Sequence, residues 1–419
     1  MNEQPKDNVR VFNFSSDKCI PDYCESVNRQ GWINYGKDNL YPNYLLSLLD
    51  KSAKHSAIVK DKAQMIGGNG IIKNNLSTAA INFIKNPYNE FDLEEILSMI
   101  SYDIEVYGGF VLNIVWSKDR SQIAEINYVD PSKVRIAKPD KETPLVERYW
   151  ICDDWLNTQK NPPKLYDGFS KTNRKSASQI LYVREYKPGT QWYCKPEYTS
   201  ALNWIELEFA ISEFHLKTVN NGFHPSMIIS FNHNTPTDEE MDMVTSRLQQ
   251  QYEGSKNAGK VIFTFSEGRE KAPIITPIQL NDSDKKFIEL NKAVEQGIFI
   301  GHRVTNPALF GVKTAGELGN TNELIESQNV FHSKYVRPKQ EMIEKVFNRL
   351  AKINGVTDKI VLDKYKLDMD VKVNTDDILK VLTSPINDES KKQVFIALGY
   401  NEEMAKKLVD SNINPQNLI

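Results

Sequence analysis

Apolar residues recur at steps of three and four positions in the last third of the chain, and this spacing predicts amphipathic helices. Residues 282–304 are the first such stretch, and their apolar side chains would form one stripe along a helix. The stripe consists of Phe287, Leu290, Val294, Ile298 and Gly301. One proline and three glycines interrupt the pattern over residues 305–320, so we expect a loop there.

A second, longer helix follows the loop; it begins at Thr321 or Asn322 and ends at Asn354–Gly355. It would span about 33 residues, or ~50 Å at 1.5 Å per residue. Pro338 lies near its middle, where proline removes an N–H group and clashes with the preceding turn. We therefore expect one kinked helix rather than two helices. Its apolar face is Leu324, Phe331, Tyr335, Met342, Val346 and Leu350.

The first half of the chain alternates between helical and strand patterns. The clearest helix is Asp92–Tyr107, which Asp92 and Glu95 begin as a capping box. Strands are predicted at Phe110–Trp116, Ile123–Val129, Glu147–Ile151 and Ile180–Arg184, and further helices at 42–49 and 53–66. Residues 1–29 lack sustained periodicity, so we expect a loosely held arm.

The stretch from Ser200 to Val219 predicts a helix that is apolar on almost every side. Such a helix must be covered on most sides. Within a single chain it would be a core helix, whereas in a ring of subunits a neighbour could cover its second face. After it, residues 223–281 predict a small module, with strands at Ser226–Phe231, Val261–Phe265 and Ile274–Leu280 around a helix that Thr237 caps.

Composition and charge exclude several classes of protein. The chain has 419 residues and a net charge of −3, with basic and acidic residues interspersed, whereas a tight, unspecific nucleic-acid binder is usually strongly basic. Its four cysteines are scattered and its six histidines fall in different elements, so no metal site, catalytic site or cofactor is expected. No signal sequence or apolar membrane span appears, and we expect a soluble protein made in a reducing compartment.

The stretch NELIESQNVFHSKYVRPKQEMIEKVFNRL, residues 322–350, resembles the long kinked helix of the portal proteins of tailed bacteriophages. The element Val129–Val134 is similar to another segment of that family, and the resemblance covers residues 30–373. It implies an α+β fold class, a multidomain subunit with an α/β wing, two stem helices, a small α/β clip, a long kinked helix and a C-terminal helical crown. The parts would be an N-terminal arm (1–29), wing (30–199 and 321–373), stem helices (200–222 and 282–304), clip (223–281), channel loop (305–320) and crown (374–419).

The same resemblance implies a structural protein of the virion, assembled in the host cytoplasm, with no enzymatic activity and no membrane. Identical subunits, generally twelve, would form a ring at the capsid portal vertex, through which double-stranded DNA is packaged and ejected. Further partners would be the terminase large subunit, the major capsid or scaffolding protein, and a head-tail adaptor. Candidate contact residues are Thr305, Asn306, Lys313, Thr314, Glu317 and Asn320 in the channel loop, Lys285, Glu289, Lys292 and Glu295 on the second stem helix, and Glu253, Lys256 and Lys260 in the clip.

The charges of residues 305–320 suit passage of DNA without capture. Each phosphate that a lysine or arginine neutralises adds salt-dependent affinity. Lys313 is offset by Glu317, and polar residues lie around them. A nearly neutral, polar loop would therefore make only weak contact with DNA.

One alternative is a nucleotide-binding component of a DNA-packaging motor. Gly254–Lys260 matches the spacing of a phosphate-binding P-loop as far as the lysine. However, Val261 stands where magnesium needs Ser or Thr, and the stretch follows a helix and precedes a strand, so no helix N-terminus would face a phosphate. A helix-to-strand turn is therefore favoured over the motor component.

Overall fold

The structure, a computed structural model, describes residues 20–139, 146, 148–220, 227–231, 261–265, 283–312, 321–365, 375–397 and 402–410. The strands are β1 (Glu25–Val27), β2 (Ile33–Tyr35), β3 (Gly109–Trp116), β4 (Ile123–Val129), β5 (Val134–Ile136), β6 (Arg148–Ile151), β7 (Lys164–Gly168), β8 (Ser178–Arg184), β9 (Met227–Phe231) and β10 (Val261–Phe265). The helices are α1 (Tyr41–Lys51), α2 (Ala53–Gly67), α3 (Thr78–Lys85), α4 (Leu93–Tyr107), α5 (Leu202–Asn220), α6 (Ser283–Gly301), α7 (Thr321–Phe331), α8 (Arg337–Ile353), α9 (Thr375–Thr383), α10 (Asp388–Ala397) and α11 (Glu402–Asp410).

A six-stranded sheet in the order β4-β3-β8-β7-β6-β5 lies at the centre of the first half. Its neighbouring strands are antiparallel except for β7 and β8, which are parallel. The β3–β4 pair confirms the two strands predicted at 110–116 and 123–129. The apolar pattern did not predict β5 and β7, because β5 has only three residues and β7 is a mostly polar strand.

Helix α4 packs against β3 and β4, and its sequence determines both of its ends. Asp92 accepts the backbone N–H groups of Glu94 and Glu95, and Glu95 accepts that of Asp92, so the predicted capping box is present. Gly108 ends the helix at φ 83°, a left-handed conformation that favours glycine. The predicted stripe, from Leu93 to Tyr107, is buried.

Residues 20–29 differ from the loosely held arm that the sequence predicts. Strand β1 pairs with β2, and the Glu25 carboxylate accepts the backbone N–H groups of Gln191, Trp192 and Tyr193, each at 3.0 Å. The acidic side chain thus satisfies three donors of a turn-rich segment. Residues 1–19 lie outside the described part of the chain.

The long helix continues from α7 through a π-helical segment, His332–Val336, into α8. Pro338 lies in the first turn of α8, directly after the π segment. The helix ends at Asn354, and Gly355 follows at φ 75°, as the sequence predicts. Four residues of the predicted apolar face are buried, and the kink at Pro338 stays a prediction. The four are Phe331, Tyr335, Val346 and Leu350.

Two further parts of the predicted organisation are visible in the described residues. Strands β9 and β10 are parallel neighbours, with Met227 opposite Val261; the helix and third strand predicted for 223–281 lie outside the described residues. Helices α9, α10 and α11 lie within residues 374–419, where a helical segment is expected. They pack around a small core of Ile378, Phe395 and Ala405.

Candidate functional site: the α5–α6 helix pair and the polar network at its base

Helices α5 and α6 pack side by side, and glycines allow the close approach. The rings of Phe214 and Phe287 stack with centroids 5.6 Å apart. A methyl group added at Gly301 would overlap the β-carbon of Ala201 and lie 3.2 Å from its α-carbon. Gly301, the last residue of α6, therefore fits this contact because it has no side chain.

Ion pairs connect this helix pair to the rest of the subunit. Lys51 lies 3.3 Å from Glu206, and Lys54 lies 3.4 Å from Glu208 and 3.9 Å from Glu295. Glu206 is buried but Lys51 is partly exposed, and the groups of the other two pairs are partly exposed, so each pair adds little stability. They orient α5 and α6 against the end of α1 and the start of α2.

Large apolar side chains on both helices remain exposed, which differs from a core helix covered on most sides. The exposed fractions are Trp204 37%, Phe214 51%, Leu216 62%, Ile288 56% and Ile300 76%. Clusters of exposed apolar residues mark surfaces that contact other molecules. Part of the apolar surface of α5 and α6 is therefore exposed in the described part of the chain.

After α6 the chain turns back onto the body of the subunit. Asn306 Oδ1 accepts the N–H of Ala308 at 2.9 Å, and its Nδ2 donates to Ser327 Oγ of α7 at 3.1 Å. A 3-10 helix, Pro307–Phe310, follows, and Phe310 is buried edge-to-face against Phe331, with centroids 5.7 Å apart. The loop predicted over 305–320 is therefore wrong for residues 307–310.

The predicted contact residues fall into three groups. Thr305, Glu289 and Lys292 are exposed. Asn306 and Glu295 have partners within the chain, as described above. Lys285 lies on α6 but its side chain is outside the described part of the chain, as are Glu253, Lys256, Lys260, Lys313, Thr314, Glu317 and Asn320.

The carboxylate of Glu105, on α4, lies at the centre of a buried polar network at the base of the helix pair. It is 3.0 Å from Lys339 Nζ and 3.6 Å from Lys62 Nζ. The Tyr335 hydroxyl donates to it at 2.8 Å. Lys62 Nζ donates to Tyr335 Oη at 2.9 Å and to the carbonyl oxygen of His302 at 2.5 Å. We call Lys62, Glu105, Tyr335 and Lys339 the Glu105 network.

Burial and charge act in opposite directions on these groups. Burial alone would raise the pKa of the Glu105 carboxyl, but Lys339 and Lys62 outweigh it and hold that pKa below its ordinary value. Burial lowers the pKa of the Lys62 ammonium to about 8, against the attraction of Glu105. Burial would also lower the pKa of Lys339, yet Glu105 and Glu185, the latter 3.3 Å away, raise it. Burial raises the pKa of the Glu185 carboxyl, against the attraction of Lys339.

Two histidines that the sequence places in different elements meet beside this network. His55 Nδ1 and His302 Nε2 are 2.9 Å apart and share one hydrogen bond, and the Tyr198 ring packs against both imidazoles. Burial, and then the charge of Lys62, lower the pKa of His55 to about 3 and that of His302 well below its ordinary value. Both rings are therefore neutral at pH 7. His302, directly after the last residue of α6, is thus buried in contact with another histidine, which its place in the sequence does not indicate.

One sequence signal could have indicated the network, namely a charge on an apolar stripe. Lys62 follows Ile58 and Val59 by four and three positions, so it shares their buried face. Lys339 lies four positions from both Tyr335 and Ile343 on the buried face of the long helix. A buried charge requires a partner, but the spacing along the chain does not say which one.

Neither a metal centre nor a membrane span is found where the structure can be described. Within the described ranges, no three His, Cys, Asp or Glu side chains lie close enough to hold a metal ion. None of the described helices combines the length and apolar character needed to cross a membrane.

Comparisons with known structures show which fold this is. A chain from the neck of an empty gene transfer agent particle, computed with C6 symmetry, matches at a TM-score of 0.54 and 14% identity, over 86% of this chain and 94% of that one. A chain from the neck of the native particle, computed with C12 symmetry, matches at 0.51 and 15% identity, over 86% and 94%. The mixed α+β fold is thus that of chains found in particle necks.

Sequence comparisons then give the family. A family model described as phage portal protein matches residues 53–385. The probable portal protein of Haemophilus phage HP1 (strain HP1c1) is 20% identical over 362 residues, 83% of this chain and 91% of that protein. An uncharacterized protein of Rickettsia bellii (strain RML369-C) is 25% identical over 165 residues, 38% of this chain and 40% of that protein. This chain belongs to the phage portal protein family, a family of structural rather than enzymatic proteins.

Replacing Gly301 by alanine is expected to destabilise the subunit by about 1–3 kcal/mol, because the new methyl group must displace the Ala201 backbone. Thermal unfolding measures the loss. Gly67, the last residue of α2, is the matched control, since a β-carbon there meets only Ser101 Oγ at 3.8 Å. Equal unfolding temperatures for Gly301→Ala and Gly67→Ala would contradict the close packing of the end of α6 against Ala201, the residue just before α5.

The histidine pair predicts a loss of stability in acid. Because the folded state keeps both imidazoles neutral, the unfolded chain binds more protons once the pH falls below about 6.5, the ordinary pKa. Stability therefore falls as the pH is lowered from 6.5 towards 3, by up to about 1.4 kcal/mol per pH unit for each histidine. Unfolding temperatures at pH 7 and pH 5 should differ less in the His55→Gln/His302→Gln double variant than in the wild type. As a control, substituting the exposed His215 by Gln should leave the difference between the two unfolding temperatures as in the wild type. If the double variant also shows the wild-type difference, the buried histidine pair is not the cause of the loss of stability in acid.

Proposed function

We propose that this portal protein assembles with copies of itself into a ring at the capsid vertex, and that double-stranded DNA enters and leaves the capsid through its centre. The observation that most directly supports this proposal is the exposed apolar surface of the α5–α6 pair. Burying apolar area is favourable by about 25 cal/mol per Å², so a neighbouring subunit is the natural cover for this surface. The mixed fold, shared with chains from particle necks, supports the same assignment.

The described elements divide naturally into the parts of such a subunit. Helices α5 and α6 would be the two stem helices, and β9 with β10 would belong to the clip between them along the chain. The central sheet and the long helix would form the wing, because both contribute to one continuous core. Helices α9 to α11, around their own small core, would be the crown.

The channel requires a surface that guides DNA and releases it. On α6, Glu289 and Lys292 are exposed and opposite in charge, so this face has no excess of cations to hold phosphates. Leu309 and Phe310 are buried on the body of the subunit, so we assign the contact with DNA to the exposed Thr305 and to residues 313–320. Asn306 would fix the base of that loop.

The remaining partners would bind at the two ends of the ring. The terminase large subunit and the head-tail adaptor would dock on the clip, whereas the capsid or scaffolding protein would contact the wing. Twelve copies per ring, a homododecamer, is the number that the family resemblance implies. The nucleotide-binding alternative depends on Gly254–Lys260, which lies outside the described residues, and nothing in the described part of the chain favours it.

Aspartate substitutions at Leu216 or Ile300 test the ring. We expect each variant to unfold within about 0.5 kcal/mol of the wild type, because both side chains are exposed, yet to lose rings in negative-stain images and mass photometry. Leu156, which is 69% exposed on the sheet side of the subunit, gives the control, and Leu156→Asp should keep rings intact. Rings that persist in both stem variants would rule out the α5–α6 surface as the contact between copies.

The channel loop is tested with Lys313→Ala. Removing the one lysine of residues 305–320 should leave ring assembly intact but change the amount of nuclease-protected DNA per particle. The charge-matched control is Lys160→Ala, at an exposed position between β6 and β7. If particles made with Lys313→Ala package and retain DNA as well as the control does, this loop has no part in DNA passage.

A further inference from the structure

The end of α6 is held in a strained backbone conformation. The N–H of Val304 donates to the carbonyl of Phe299 at 2.9 Å, which closes the last turn as in a Schellman motif. Arg303, directly before Val304, has φ 57°. This left-handed conformation is usually occupied by glycine because a β-carbon makes it unfavourable. Such a conformation persists only where the surroundings impose it.

Several groups surround this helix end: Arg303 itself contacts Glu197 and the Tyr335 ring, and Lys62 of α2 bonds the residue before it. Its ammonium group is fully buried and donates to the carbonyl oxygen of His302, the residue just before the strained position. That carbonyl lies at the C-terminal end of α6, where the helix dipole is negative and a cation is stabilising. We propose that Lys62 is a positioning residue, which fixes the end of α6 and hence the start of the segment 303–312 that joins the stem to the proposed channel loop.

A π-helical segment of the long helix places the group that orients Lys62. Tyr335 lies in this segment, and its hydroxyl joins Lys62 Nζ at 2.9 Å to Glu105 at 2.8 Å. Its ring also lies under the ammonium group, 4.0 Å from Nζ to the centroid. π-helical turns are rare and are frequently found at functional sites. Here the π segment contains Tyr335, which contacts the end of α6 through Lys62.

The two lysines of the Glu105 network differ in one useful respect. Both neutralise Glu105, but Lys62 also bonds the α6 carbonyl, whereas Lys339 bonds Glu185. Removing either lysine leaves Glu105 with one ammonium group and the Tyr335 hydroxyl. A loss of positioning can therefore be separated from a general loss of stability by comparing substitutions at the two sites.

The experiment is hydrogen–deuterium exchange of the full-length protein at pH 7, comparing Lys62→Met with Lys339→Met. In Lys62→Met we expect the amides of residues 299–312 to exchange about tenfold faster, because a hydrogen bond from a charged donor is lost. Exchange in 388–397 should not change, and Lys339→Met should leave 299–312 at the wild-type rate. Tyr335→Phe removes only the hydroxyl and should give a smaller rise, about threefold, in the same segment. If Lys62→Met does not fold, Tyr335→Phe takes its place in the comparison with Lys339→Met, and faster exchange at 299–312 in Tyr335→Phe alone supports the proposal.

Equal rises at 299–312 in both lysine variants, or no rise in Lys62→Met, would overturn the proposal. The consequence for the channel rests on the proposed function and is tested separately, in particles. Nuclease-protected DNA should fall in particles with Lys62→Met and not in those with Lys339→Met, with rings present in both. Unchanged DNA in Lys62→Met would reject the role in the channel. Absence of rings in the wild type would reject the proposed function and leave the exchange result valid.

Discussion

Glu105 is a carboxylate that the fold buries completely, with the ammonium groups of Lys62 and Lys339 on either side. A buried charge without partners would cost several kcal/mol, and the two lysines and the Tyr335 hydroxyl together offset that cost. The four groups come from α2, α4 and the long helix. Each of these elements is therefore restrained by the other two, beyond the restraint that non-directional apolar packing supplies.

This restraint extends to α6 through a backbone atom. Lys62 bonds the His302 carbonyl rather than a side chain, so it fixes the helix end whatever residues follow. Gly301 allows α6 to approach Ala201 closely enough for this contact. The buried side of the helix pair is thus defined by close contacts, while its other side exposes large apolar residues. The fixed end of α6 and the exposed apolar residues of α5 and α6 together suit a subunit that packs against neighbouring copies of itself.

Local patterns predicted most of the elements, because periodicity, caps and breakers act within a few residues of one another. The capping box at Asp92 and the end of the long helix at Asn354 are examples. The network escaped prediction because its members are far apart along the chain: Tyr335 lies 273 positions from Lys62 and 230 from Glu105. The 3-10 helix at 307–310 was missed for a related reason, since its burial depends on Phe331 rather than on its own sequence.

The distribution of charge explains how a nearly neutral protein could let DNA pass without binding it tightly. Inside the subunit, Lys62 and Lys339 are paired with the carboxylates of Glu105 and Glu185 and with the end of α6, so these two cations are not available to bind phosphates. On the exposed face of α6, Glu289 and Lys292 offset each other. Affinity for DNA grows with each phosphate neutralised, and a channel must keep that number small at every step of passage. Placing charge in the buried network gives the helix end a fixed position without adding affinity for DNA along the channel.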